Sequence, residues 1–117
     1  MTSKMQTGVD GEDAAAQFLI AKGYEILSKN YRYGRAEVDL IVKKGNWLVF
    51  VEVKTRSTSH FGFPEDFVDR KKEENIFMAA DNYMHSINWQ GNVRYDIVSV
   101  LGVGFEREVV HLEDAFY

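Results

Sequence analysis

The run FVEVKTR, Phe50 to Arg56, alternates as a strand does, yet Glu52 and Lys54 interrupt it. Side chains two apart on a strand share a face. Trp47, Val49, Val51 and Val53 therefore line one face, and Leu48, Phe50, Glu52, Lys54 and Arg56 line the other. The second face starts apolar and turns charged, so the strand is expected to run out of the core into a cleft. A buried carboxylate needs a cation or donors nearby. Asp39, within AEVDLIVKK, is a second acid in an apolar strand pattern. A turn near Gly45 would bring it opposite the Glu52 region. Two carboxylates on neighbouring strands repel unless something positive lies between them. Lys54 could do part of this, and a divalent cation would do it better. Mg2+ takes oxygen ligands and only a few carboxylates from protein. Glu12 precedes Ala15, Ala16 and Leu19 by three, four and seven residues, on the inward side of a helix start. It could add a third carboxylate, or simply suit the helix dipole there. The chemistry this set suits is metal-assisted hydrolysis of a phosphodiester. Mg2+ or Mn2+ would polarise the phosphoryl oxygen and lower the pKa of a bound water. Asp39 and Glu52 would hold the metal with the backbone carbonyl of Val53, and Lys54 would orient the water or stabilise developing charge. The same D…ExK spacing also describes a solvated salt-bridge row.

The elements that must position these residues follow from periodicity. Ala15, Phe18, Leu19 and Lys22 recur at helical spacing within TGVDGEDAAAQFLIAKG, with Thr7 or Asp10 as cap and Gly23 as stop. Strands are expected over 24–33, 36–44 and 47–56, joined by short turns at Gly34 and Gly45. Val38, Leu40 and Val42 are expected to share one face, with Glu37, Asp39 and Ile41 on the other. A loop over 57–67 holds the only proline, Pro64, and a second helix is expected from Asp66 to Met84. Further strands are expected over 92–102 and 106–112. The order is αβββαββ. The first three strands should form an antiparallel meander, and the helix after them should set strands three and four parallel. The expected class is α/β or α+β, a mixed sheet flanked by helices. The 117 residues fit a single domain, 1–117.

Composition narrows the function classes. There is no cysteine, so a disulfide framework and a thiolate metal site are excluded. His60, His85 and His111 lack zinc-site spacing. No apolar run approaches the ~20 residues that span a bilayer. The N-terminal MTSKMQTGVDGED lacks the apolar stretch of a signal peptide, so the expected compartment is the cytoplasm. The net charge of −4 is unevenly spread: residues 22–72 carry a net +4 and the remainder −8. A basic middle segment can present a phosphate-binding face, or consist of solvated strands and loops. Arg32, Arg35, Lys43, Arg56 and Arg70 are candidates for phosphate contact. Trp47, Tyr31, Tyr33 and Phe61 could stack on bases or serve the core and sheet surface. The loop with His60, Phe61, Gly62 and Pro64 would border the cleft.

In GEDAAAQFL (11–19), GYEILSKNYR (23–32), AEVDLIV (36–42), FVEVKTR (50–56), Phe61-Gly62, RKKEENI (70–76) and RYDIVSV (94–100), the chain resembles the YraN-like family of small bacterial proteins. That family is assigned to the restriction-endonuclease-like, PD-(D/E)XK nuclease superfamily and is similar to archaeal Holliday-junction resolvases. The resemblance implies a restriction-endonuclease-like fold and a metal-dependent endonuclease acting on DNA, with a preference for branched or junction substrates. It implies that Asp39 is the second-strand acid, Glu52 and Lys54 the (D/E)XK pair, and Glu12 the helix-one glutamate. Glu37 matches an accessory acid, Lys72 the lysine opening the second helix, and Lys71 a position often basic. Resolvase-like relatives act as dimers, so a homodimer is a further implication. Two other readings remain open: a non-catalytic nucleic-acid-binding module that kept the fold, and a protein-interaction domain whose D…ExK group is a salt-bridge cluster.

Overall fold

The computed structural model describes residues 4–56, 70–102 and 107–116, with side chains from Gly11 onward. The elements are α1 (Lys4–Ala21), β1 (Glu25–Tyr33), β2 (Ala36–Lys44), β3 (Trp47–Arg56), α2 (Arg70–Ser86), β4 (Asn92–Leu101) and β5 (Glu108–Leu112). The expected order αβββαββ is the one observed. Helix α1 starts earlier than expected, so Thr7 and Asp10 lie inside it rather than capping it. The expected loop over 57–67, with His60, Phe61, Gly62 and Pro64, lies outside the described residues. So does the expected helix start at Asp66.

Helix α1 ends as its sequence requires. The amide of Tyr24 donates to Leu19 and that of Gly23 to Ile20. Gly23 has φ 96°, a left-handed closure that glycine adopts without a Cβ penalty. The five strands form one sheet in the order β1-β2-β3-β4-β5. The first three pair antiparallel, β3 and β4 pair parallel across the α2 crossover, and β5 returns antiparallel to β4.

Helices cover both faces of this sheet, which is why β2, β3 and β4 are so continuously apolar. On one face Ala15, Ala16 and Leu19 of α1 pack on Leu40, Val42, Val49, Val51, Val98 and Val100. On the other, Ile76, Ala79 and Ala80 of α2 pack on Ile41, Leu48, Phe50 and Ile97. Phe50 is fully buried there, stacked on Tyr95 at 5.5 Å and edge-on to Tyr83 at 6.2 Å. Burying such a ring contributes about 2–3 kcal/mol. Among the described residues, no helix is long and apolar enough to cross a membrane.

One expectation fails within β2. Leu40 and Val42 pack on the α1 side, but Val38 and Ala36 pack on the α2 side. Residues of one parity thus change faces, and the alternation slips at Asp39. The β2–β3 ladder shows why: it runs from Lys44 opposite Trp47 to Leu40 opposite Val51 and stops there. Across β2 in β1, Asn30 breaks strand geometry as well, with φ 53°.

On the α1 side, Asp96 of β4 gathers a polar network. It is fully buried and accepts two hydrogen bonds from Arg94, at 2.8 Å each. His111 Nε2 (2.7 Å) and the Asp114 amide (3.0 Å) complete it. Lys22 Nζ lies 2.7 Å from His111 Nδ1, so the two partners select the Nε2–H tautomer. Burial alone would raise the Asp96 pKa, but the bonds from His111, Arg94 and Asp114 hold it below the ordinary carboxylate range. This network ties the chain after β5 back onto β4 and α1.

Candidate active site

Where β2 parts from β3, a backbone N–H of β3 loses its ladder partner, and a buried N–H must be satisfied. Asp39 supplies the acceptor: its Oδ2 takes the Val53 N–H at 2.8 Å. That bond fixes the carboxylate beside Glu52.

Helix α1 brings in Glu12 by pressing its backbone onto the same end of β3. A Cβ at Gly11 would collide with the Thr55 side chain, so only glycine permits this approach. Glu37 enters from the start of β2. Carboxylate oxygens of Glu12, Glu37 and Asp39 lie within 4.8 Å of one another. The Asn30 amide, with its NH2 turned toward the acids as the hydrogen bonding requires, lies 3.1 Å from Glu12 Oε1 and 3.1 Å from Glu37 Oε1. Arg32 pairs with the other Glu37 oxygen at 3.0 Å.

The electrostatic cost of the cluster falls on its least exposed member. Burial, then the negative charge of Glu52, pushes the Asp39 carboxyl up to about 7, against the Val53 hydrogen bond. Burial and then Glu37 raise Glu12 as well, with Asn30 opposing. Glu52 itself is 4% exposed and stands outside the three-acid group. Its Oε1 receives Lys54 Nζ at 3.4 Å and an ion pair from Lys72. Burial lowers the Lys54 pKa, and the neighbouring Lys72 adds to this against the charge of Glu52. Burial works against the charged form of Lys72 too, but the bond and charge of Glu52 prevail and raise its pKa.

The donors here are all oxygens, and three come within the span of a single ion. That set suits Mg2+ or Mn2+ rather than a thiophilic metal. The sequence pattern of the uncharacterised protein family UPF0102 matches residues 11–100. The chain belongs to this family. A UPF0102 protein of Cytophaga hutchinsonii is 44% identical over 110 residues, covering 94% of this chain and 95% of that one. One from Christiangramia forsetii is 41% identical over 117 residues, covering 100% and 98%. One from Rhodococcus opacus is 40% identical over 119 residues, covering 99% and 100%. The span matched to UPF0102 takes in Glu12, Glu37, Asp39, Glu52, Lys54 and Lys72.

Within this UPF0102 protein the other expected site residues are less tightly grouped. Arg35 is exposed at the β1–β2 turn, and Lys71 is exposed at the start of α2. Arg56 is half-buried and donates to the Thr55 carbonyl at 2.8 Å. Tyr31 is engaged by the Tyr83 ring at 5.1 Å and by Asn82. Trp47 stands at the far end of β3 from Glu52, under Arg94 at 5.6 Å. Two features were not expected from sequence: the Asn30 bridge between Glu12 and Glu37, and the grip of Lys72 on Glu52. Asn30 did leave a signal. Asparagine is depleted in strands and tolerates positive φ, so its place inside a strand pattern marks an irregularity.

Proposed function

We propose that this chain is a metal-dependent endonuclease hydrolysing DNA phosphodiester bonds, with preference for branched or junction DNA. The observation that carries the reading is the bond from Val53 N–H to Asp39, which fixes that acid where the charges of both Glu52 and Glu12 act on it. Glu12, Asp39 and Glu52 would hold Mg2+ or Mn2+, with the Val53 carbonyl as a further oxygen and Glu37 as accessory acid. Bound there, the ion would supply a Lewis acid for the phosphoryl oxygen and an acidified water. Lys54, largely desolvated beside Glu52, would orient that water or meet charge developing on the phosphate. Arg32, Arg35, Arg56, Lys71 and Lys72 would contact the DNA backbone. A restriction-endonuclease-like ancestry accords with the element order and with the acids' positions on the strands.

The test is incubation of the purified protein with branched, flapped and single-stranded DNA and Mg2+ or Mn2+. Metal-dependent cleavage that disappears in Lys54→Ala and Asp39→Ala is expected. Cleavage persisting in both variants would assign the activity to a contaminant. One observation favours a second reading, a binding module without catalysis: Glu52 pairs with two lysines, as in a structural salt-bridge cluster. That reading predicts salt-sensitive DNA binding with no cutting.

A further inference from the structure

Glu52 carries two ammonium groups on one oxygen, and the two differ in their freedom to leave. Lys54 comes from the same strand and face, two residues on, and its side chain is 9% exposed. Lys72 comes from the first turn of α2 and its side chain is 42% exposed, so it can turn out into water. The charge of Asp39 favours the Lys72 ammonium in the same sense as the ion pair with Glu52. Both ion pairs fall on the same oxygen, Glu52 Oε1.

We propose that Lys72 is a resident counter-ion that competes with the divalent cation for Glu52, so that cation loading requires Lys72 to release this carboxylate. The inference rests on the metal-binding reading above. It adds that Lys72 sets the affinity of the site. The released ammonium stands beside the bound ion, on the side where α2 begins. Loading is thereby coupled to a rearrangement at the start of that helix.

The test is isothermal titration of the purified protein with Mn2+ alone. Lys72→Met should bind Mn2+ more tightly than wild type, on the order of tenfold, within the usual range for two ligands coupled through one residue. Lys71→Met removes an equal charge from the same helix turn, but at an exposed position, where screening should limit the gain to less than about twofold. In a Glu52→Gln background the gain from Lys72→Met should disappear. Lys72→Gln repeats the measurement should Lys72→Met melt early. An affinity in Lys72→Met equal to that of Lys71→Met, or weaker than wild type, overturns the proposal while leaving the metal reading intact. So does a gain that survives in Glu52→Gln. Absence of Mn2+ binding in both wild type and Lys72→Met overturns the metal reading itself, and the competition with it.

Discussion

Replacing Asp39 by asparagine should make the metal-free protein more stable at neutral pH. Asparagine keeps an oxygen for the Val53 N–H but removes a charge that burial and Glu52 both oppose. The magnitude follows from the shift in the carboxyl from 3.8 to about 7. Each pH unit is worth about 1.4 kcal/mol, so the ceiling is roughly 4 kcal/mol. Movement of Glu12 and Glu37 toward water, together with salt, takes back part of this, and we expect about 2 kcal/mol. The sign is fixed by proton counting. Between about pH 4 and pH 7 the folded chain keeps a proton on Asp39 that the unfolded chain releases, so wild-type stability falls as pH rises through that window. The asparagine side chain does not titrate. The two proteins should therefore melt together near pH 4 and separate by about 8 °C at pH 8, in EDTA, by circular dichroism. Saturating Mn2+ should reverse the order. At a hundredfold excess over Kd a ligand that binds only the folded state adds about 2.7 kcal/mol, which the variant should not gain. An Asp39→Asn protein less stable than wild type by the same amount at every pH would refute this reasoning. Asp39 would then be a backbone cap and nothing more.

Two further outcomes follow from other parts of the structure. Asn30→Gly keeps a residue content with positive φ but deletes the amide between Glu12 and Glu37; thermal melts should show a loss of about 1 kcal/mol at pH 8 that shrinks as pH falls and the Glu12 carboxyl, raised by burial and Glu37, takes up a proton. A loss independent of pH would mean the amide serves the backbone alone. Asp96→Asn leaves half-buried Arg94 with only the more distant Glu113 carboxylate, at 3.7 Å, and should cost about 3 kcal/mol at pH 7 in urea unfolding. Because the folded Asp96 carboxyl lies below its unfolded value of about 3.9, this stability is present above pH 4 and lost as pH falls through the folded pKa, so the gap to wild type should narrow toward pH 3. A gap that stays constant from pH 7 to pH 3 would contradict the charge-based account.

The elements themselves were legible because their signals are local. The stop at Gly23, the turns at Gly34 and Gly45, and the apolar runs of β2, β3 and β4 each depend on neighbours in sequence. Glu52 and Lys54 were legible for the same reason: a strand period assigns them to one face whatever the rest of the chain does. The face change at Asp39 was not, because it depends on where a ladder stops, which pairs residues across a turn. The earlier start of α1 was missed because Thr7 and Asp10 are good caps wherever a helix happens to begin at them, and here it does not. The resemblance gave Lys72 only as the lysine opening the second helix. Its pairing with Glu52 depends on how α2 returns across the sheet, information that no spacing within RKKEENI contains.

The fold needs an acceptor at position 39 but not a charge. A neutral asparagine would satisfy the Val53 N–H, and the adjacent charges make a carboxylate the costlier choice. Glu52 presents the same asymmetry. A buried ion pair is often no more stabilising than apolar residues of similar volume, and β3 is otherwise apolar on this face up to Phe50. Glycine at position 11 then brings α1 close enough to add Glu12 to acids that already repel one another. Packing alone does not explain a carboxylate at Asp39, which could be made neutral at a gain in stability. The hard cation proposed above would account for these acids together, because its charge would offset the repulsion among them.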